Sequence, residues 1–181
     1  MDTIGFLETT SIACGVEIAD KMIKVSNIEL IYARASCPGK YLILVAGDVS
    51  SVELSLKQGA QVGQGFVVNT ALLPRIHPQV IHAIGSGTYV EKPNAIGVVE
   101  YFCVTSSLAA ADAAVKAANV TLMDLRLGTG IGGKSYFVVA GEVSAVKNAV
   151  AAALENQRNT GLLLNSSVIA NPKRELVESL F

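Results

Sequence analysis

Charged residues are scarce in this sequence, at 16% of 181 residues, and tryptophan is absent. Hydrophobic residues make up 51%, so the chain has too much apolar material to remain disordered. The net charge is −1 and Lys and Arg form no cluster, which argues against a nucleic-acid partner. No apolar run approaches the ~18–20 residues of a membrane-spanning helix, and the first residues do not resemble a signal peptide. We therefore expect a soluble cytoplasmic protein that binds neither membrane nor nucleic acid.

Recognisable catalytic groups are also few. The three cysteines are an odd number and predict no disulfide framework. His77 and His82 are the only histidines, and neither belongs to a Ser/His/Asp or metal-ligand spacing. They are interpreted as loop or interface residues. Glu8 and Glu100 end equivalent strands, but the sequence places no acid/base partner beside them. We predict no catalytic residues and no enzymatic activity.

The chain contains an internal duplication. With an offset of 92, residues 4–30 match residues 96–122 at eight of 27 positions. With an offset of 94, residues 40–56 match residues 134–150 at seven of 17 positions, and residues 65–73 match at an offset of 96. Chance agreement would be roughly 6–7%. A polar linker near residues 91–94 predicts two domains, 1–90 and 91–181.

Each half predicts the order β-α-β-β-α-β, an α+β arrangement of the ferredoxin-like type. In the first half the segments are strands at 3–8, 28–34, 41–47 and 65–73, with helices between them. In the first helix, Ile12, Val16, Ala19 and Ile23 form one apolar face. Ser50-x-x-Glu53 predicts a capping box that opens the second helix. Units of ~90 residues are small, so mutual packing or oligomerisation would support them.

One glycine-rich segment matches the phosphate-loop pattern G-x-x-x-x-G-K-[ST] from Gly128 to Ser135. The pattern needs a helix directly after it, because loop and helix amides bind the phosphates. Residues 136–140 instead predict a strand. The preferred interpretation is a hairpin loop rather than a nucleotide site.

The three cysteines lie in different settings. Cys14 and Cys103 are expected to be small buried residues. Cys37 lies in a Ser-Cys-Pro-Gly turn at a hairpin tip, where we expect an exposed thiol. One such thiol cannot complete a metal site, but three of them on a three-fold axis could bind zinc or three irons of a [4Fe–4S] cluster.

The repeated pattern resembles the bacterial microcompartment shell domain, in its tandem-domain, trimeric form. The residues that carry the likeness are the opening strands 4–8 and 95–100, the helix patterns Asp20-x-x-x-Lys24-x-x-Asn27 and 112–119, the junctions 47–49 and 141–143, and the segment 73–77. These segments recur in each half in the same, unpermuted order and together span nearly the whole chain. The likeness extends to the tandem shell proteins of propanediol-utilisation microcompartments, which carry a cysteine in the pore loop.

The resemblance implies a homotrimer whose six domains form a pseudohexameric tile of the microcompartment shell. Such tiles meet other shell proteins edge to edge. The positions that match the family's tile edge are Lys24, Asn27, Arg75, Lys116 and Asn119. The second copy departs at Asn171, where arginine would be expected.

The same resemblance implies a central pore. The matching pore-lining residues are Ser36, Cys37, Pro38 and Gly39 in the first half and Gly128, Thr129, Gly130, Ile131 and Gly132 in the second. Cys37 matches the cysteine that supplies an iron–sulfur site, so we expect a [4Fe–4S] cluster shared by three chains. Electron transfer across the shell, with a redox enzyme as partner, would follow. The alternative is a tile whose open pore conducts metabolites and holds no metal.

Overall fold

The computed structural model describes residues 3–180. Their contacts divide the chain into two compact units. One unit comprises the residues up to Ile76 together with Gly128–Gly133, and the other comprises His77–Leu127 and the residues from Lys134 onward. The division into sequence domains at residue 90 stays a prediction. No helix of the described chain has the length and apolar character needed to cross a membrane.

The first unit has the predicted β-α-β-β-α-β order. Its elements are β1 (Thr3–Thr9), α1 (Ile12–Val25), β2 (Glu29–Ser36), β3 (Lys40–Gly47), α2 (Val49–Gly63) and β4 (Val67–Pro74). The strands form one antiparallel sheet in the order β2-β3-β1-β4, so β2 and β4 are the edges. The two helices cover one face of this sheet. A cluster of buried side chains lies between the helices and the sheet, and it includes Leu7, Ile18, Met22, Ile43 and Val52.

The second unit repeats this order after an additional helix, α3 (Pro78–Gly85). It continues with β5 (Ala95–Tyr101), α4 (Val104–Ala117), β6 (Thr121–Leu127), β7 (Ser135–Gly141), α5 (Val143–Asn156), β8 (Leu163–Ala170) and α6 (Arg174–Glu178). Its sheet has the equivalent order β6-β7-β5-β8. Val177 of α6 packs against Ile96, Met123, Val138 and Ala140. The predicted fold class is confirmed in both halves.

The Ile-Gly pair that opens both repeats has a packing reason. A Cβ atom on Gly5 would lie 2.6 Å from Cγ1 of Val52 in α2, and one on Gly97 would lie 2.7 Å from Cγ2 of Val150 in α5. Each glycine therefore lets a helix approach the central strand of its sheet, which a larger residue would prevent.

Candidate functional site

The first candidate pore loop is the turn between β2 and β3. The backbone N–H of Gly39 donates to the carbonyl of Ser36 at 3.0 Å and closes the turn, and the Cys37–Pro38 peptide bond is cis. Cys37, Pro38 and Gly39 are exposed, while Ser36 is half-buried. The thiol of Cys37 therefore lies at an exposed hairpin tip, as predicted.

The second candidate pore loop, Gly128–Gly133, lies between β6 and β7. Gly128, Gly130 and Gly132 have φ angles of 80°, 78° and 66°, which favour glycine over any other residue. Thr129, Gly130 and Gly132 are exposed, Ile131 is half-buried and Gly128 is buried. Strand β7 follows at Ser135, so the phosphate-loop pattern lacks the helix that it needs.

The two loops touch within the first unit. A Cβ atom on Gly133 would lie 2.5 Å from the carbonyl oxygen of Cys37 and 2.5 Å from Cδ of Pro38. Gly133 also has a φ of 75°, where a side chain is strained. The backbone of the second loop thus supports the backbone of the cysteine-bearing loop.

A lysine joins these loops to the sheet. Nζ of Lys40 donates to Oε1 of Glu8 at 2.6 Å and to the carbonyl of Gly133 at 3.1 Å. The Glu8 side chain is fully buried and that of Lys40 is 15% exposed. Sequence reasoning saw Glu8 but missed this pairing. The sequence signal was the repeat, since Glu100 and Lys134 recur at the equivalent positions. In the structure, Nζ of Lys134 lies 3.3 Å from Oε1 of Glu100.

Exposed arginines lie two residues before each loop on the preceding strand. The guanidinium of Arg34 lies 4.5 Å from the ring centre of Tyr32, and burial raises the pKa of that phenol despite the nearby cation. Nε of Arg126 donates to Oδ2 of Asp124 at 2.5 Å, and this carboxylate raises the arginine's pKa further. A guanidinium that contacts a neighbouring side chain therefore lies on the strand before each loop.

Over residues 3–180 no group of three His, Cys, Asp or Glu side chains is placed to hold a metal ion. Cys103 is buried and caps α4, its sulfur accepting from the N–H of Ser106 at 3.4 Å, and Cys14 is half-buried. Cys37 fits a metal centre only as one thiolate among several that come from different copies of the chain.

The two histidines have structural positions in and beside α3. Nδ1 of His77 accepts from the backbone N–H of Gln79 at 3.3 Å, which caps the helix. The ring of His82 lies 3.3 Å from the hydroxyl of Ser86. Both ring contacts are local. His82 lies within α3 rather than in a loop, and an interface position for either histidine stays a prediction.

The two candidate edge lysines are each held by an aspartate four residues earlier. Nζ of Lys24 lies 2.6 Å from Asp20, and both side chains are well exposed. Lys116 pairs with Asp112, whose second oxygen accepts from the backbone N–H of His77 at 2.8 Å. The pairs limit where each ammonium can reach.

The remaining candidate edge residues are also exposed. Asn27 and Asn119 follow α1 and α4, and Arg75 follows β4. Arg75 and Asn171 occupy equivalent positions with φ angles of 50° and 48°. Asparagine adopts this left-handed conformation more readily than arginine does. The role of these residues at a tile edge stays a prediction.

Three of the four residues of the apolar face predicted for the first helix are exposed, and the fourth, Ala19, is buried. Ile12, Val16 and Ile23 of α1, here called the α1 outer face, are 44%, 54% and 42% exposed. The side of α1 that packs in the core instead carries Gly15, Ile18, Ala19 and Met22. The positions equivalent to the outer face in α4, namely Val104, Leu108 and Val115, are all buried within the chain.

The neighbouring strand shows the same difference between the repeats. Leu30 and Ile31 of β2 are 39% and 43% exposed, whereas their equivalents in β6, Leu122 and Met123, are buried. The α1 outer face and these two β2 residues, here together called the open apolar surface, are therefore exposed in a single chain, whereas their equivalents in the second unit are buried.

Residues of α3 cover the equivalent strand in the second unit. Oε1 of Gln79 accepts from the N–H of Leu122 at 2.6 Å, and Nε2 donates to the carbonyl of Val120 at 3.1 Å. Val80 of the same helix is fully buried. An edge strand with free N–H and carbonyl groups would otherwise be open to pairing, and α3 prevents this at β6.

Comparisons with known proteins agree with this architecture. The family model described as BMC domain matches residues 3–76 and again residues 95–172. The chain is 44% identical over 179 residues to the bacterial microcompartment shell protein PduT of Citrobacter freundii, covering 97% of both chains.

Two further similarities concern the whole chain and one repeat. A crystal structure of a microcompartment protein from Desulfitobacterium hafniense superposes with a TM-score of 0.83 at 39% identity, covering 98% of this chain and 99% of that one. The carboxysome shell protein CcmK2 of Synechocystis is 36% identical over 85 residues, which is 45% of this chain and 82% of that protein.

Proposed function

Because this chain belongs to the BMC domain family of bacterial microcompartment shell proteins, we propose that three copies of it close into one shell tile. Shell proteins of this family assemble with one another, so the tile joins neighbouring tiles at its edges. Each copy contributes two domains, which gives a pseudohexameric ring around a central pore.

The open apolar surface on α1 and β2 carries this proposal. The equivalent surface in the second unit is buried, so one copy of the surface per chain lacks its cover. The element equivalent to α3 is α6, and its Leu176 is 40% exposed where Val80 of α3 is buried. Each chain thus offers one open apolar surface and one exposed apolar side chain on α6, which suits a head-to-tail contact that closes into a ring.

Substitution of Val16 by lysine tests the ring. Light scattering of the wild-type protein should give roughly three times the chain mass of 18.9 kDa. Val16→Lys places a charge on the open surface and should yield a folded monomer with unchanged circular dichroism. Leu108→Lys makes the same change at the equivalent buried position and should instead prevent folding. A Val16→Lys protein that remains trimeric would contradict the proposal.

We further propose that the pore holds a [4Fe–4S] cluster on three Cys37 thiolates. The exposed thiol at a hairpin tip supports this, as does the way Gly133 and Lys40 fix the loop. When bound, such a cluster supplies one-electron transfer, and a redox enzyme on one side of the shell would be its partner. The chain's own residues would hold three irons and leave the fourth to a ligand from outside the protein.

Iron and acid-labile sulfide on anaerobically purified protein test the cluster. We expect about four of each per trimer. Cys37→Ser should abolish both, whereas Cys14→Ser should retain them because that half-buried thiol lies within α1. Absence of metal after anaerobic reconstitution would contradict the cluster and leave the open, metabolite-conducting pore.

A further inference from the structure

The segment that fixes α3 on β6 has an equivalent at α6, and the two segments differ at the position that bonds to the edge strand. At an offset of 96, the left-handed Arg75 corresponds to Asn171, and the N-cap His77 corresponds to the N-cap Lys173. The second residue of each helix is then Gln79 in α3 and Glu175 in α6. Gln79 makes both side-chain hydrogen bonds to β6 and its preceding turn, and Glu175 is exposed in the single chain.

The surface that would receive α6 has the same local geometry as the surface that receives α3. The pairing of β2 with β3 shifts register between Leu30 and Tyr32, and that of β6 with β7 shifts between Leu122 and Asp124. The turns before them also match, since Ile28 N–H donates to Ser26 and Val120 N–H donates to Ala118. By this equivalence, the N–H of Leu30 and the carbonyl of Ile28 are the groups that residue 175 of a second copy meets.

We propose that α6 of one copy docks on β2 of the next, and that Glu175 makes this junction weaker than the one within a chain. An amide side chain both accepts and donates, as Gln79 does. An ionised carboxylate only accepts. Glu175 therefore receives the N–H of Leu30 but offers no hydrogen to the carbonyl of Ile28. The inference rests on the proposed trimer and names a residue that sets its strength.

Two neighbouring cations already have carboxylate partners. Arg174 of α6 donates to Glu178 at 2.7 Å, and Lys24 of α1 pairs with Asp20. Both cations are therefore already paired with carboxylates of their own helices. Glu175 brings a further negative charge to a junction where the equivalent residue within the chain is neutral, which makes the contact between chains the easier one to separate.

The experiment compares Glu175→Gln with the wild-type chain. Trimer dissociation is followed by light scattering along a dilution series and, at fixed concentration, along a urea series. The variant should regain the donor and lower the midpoint concentration for dissociation by roughly tenfold or more, since an unmatched buried polar group is expensive. Gln79→Glu is the matched control, which should leave this midpoint unchanged and lower the urea midpoint for unfolding of the second unit.

The outcomes separate this inference from the trimer itself. A trimer whose dissociation is the same or easier in Glu175→Gln overturns the inference and leaves the trimer standing. A protein that is monomeric at every concentration, wild type and variant alike, overturns both, because no second copy then reaches residue 175.

Discussion

At the residue scale, a buried ion pair fixes the loop that carries Cys37. Lys40 directly follows the loop, and its ammonium contacts both Glu8 and the carbonyl of Gly133. A fully buried carboxylate is expensive to leave without a cation, because desolvation is not offset by water. The pair therefore couples the position of the loop to the end of β1.

Replacing Lys40 by methionine should destabilise the first unit strongly. The change leaves the buried Glu8 carboxylate without this ammonium and should lower the free energy of unfolding by about 3 kcal/mol. Urea denaturation measures the loss. The matched variant is Lys134→Met, since the Glu100–Lys134 pair is 34% and 43% exposed and should contribute less than about 1 kcal/mol. Equal losses in the two variants would show that burial of the first pair is unimportant.

The sequence predicted some of these residues and missed others for a physical reason. The exposure of Cys37 follows from local turn chemistry, Ser-Cys-Pro-Gly, which the sequence shows directly. The Glu8–Lys40 contact joins residues 32 positions apart and depends on the register of β1 with β3. Only the recurrence of Glu and Lys in the second repeat could have indicated it.

At the element scale, the start of α2 shows how a good local pattern can be wrong. Ser50 and Glu53 predicted the capping box, but the N-cap is Asp48. Its carboxylate accepts from the N–H of Ser51 at 2.9 Å and from the hydroxyl of Ser50 at 2.7 Å. These bonds hold the pKa of Asp48 well below its usual range, with contacts to Ser51 and Ser50 as the causes.

Asp48→Ala should therefore destabilise the protein in a pH-dependent way. A lowered pKa in the folded state means that the ionised carboxylate stabilises α2 above the ordinary aspartate pKa of about 3.9. The difference in urea midpoint between wild type and variant should be full at neutral pH and shrink as the pH falls below that value. Glu142→Ala is the control, because Glu142 makes no side-chain cap bond at α5 and loses only the exposed hydrogen bond that it accepts from Nδ2 of Asn94. A difference that persists unchanged into strong acid would contradict this role.

Helix α1 shows what periodicity leaves open. Periodicity predicted the helix correctly, and also its apolar face, but the core lies on the side of Ile18 and Met22. An apolar stripe that packs in a core and an apolar stripe that binds another chain have the same residue spacing along a helix. The comparison of equivalent positions in α1 and α4 separates the two, and it requires burial values that a sequence does not contain.

At the scale of the whole molecule, the duplication made the fold predictable. Each strand and helix was supported twice, by its own pattern and by its repeat, and the element order and sheet class were confirmed. The sequence did not predict the packing contacts that are not repeated in both halves. The segment from His77 onward groups with the second unit, where Gln79 binds the turn and edge strand. Such a contact depends on tertiary structure rather than on local preference.

The last prediction concerns assembly of tiles. Lys24 and Lys116 are exposed at equivalent positions, and each is oriented by an aspartate on its own helix. A flat tile whose edges contact those of identical tiles needs directional polar contacts at repeated positions. Two such lysines per chain would provide them. Lys24→Ala combined with Lys116→Ala should therefore leave the trimer intact but abolish extended sheets seen by electron microscopy.

The loss of charge alone must be separated from the loss of the edge contact. Lys57→Ala combined with Lys147→Ala removes the same charge from exposed positions on α2 and α5, and should leave the sheets as they are. Lys116 also pairs with Asp112, which holds the backbone of His77, so the edge variant must first be shown to remain a folded trimer. Sheets that persist in a folded Lys24→Ala, Lys116→Ala trimer would mean that other residues form the tile edge.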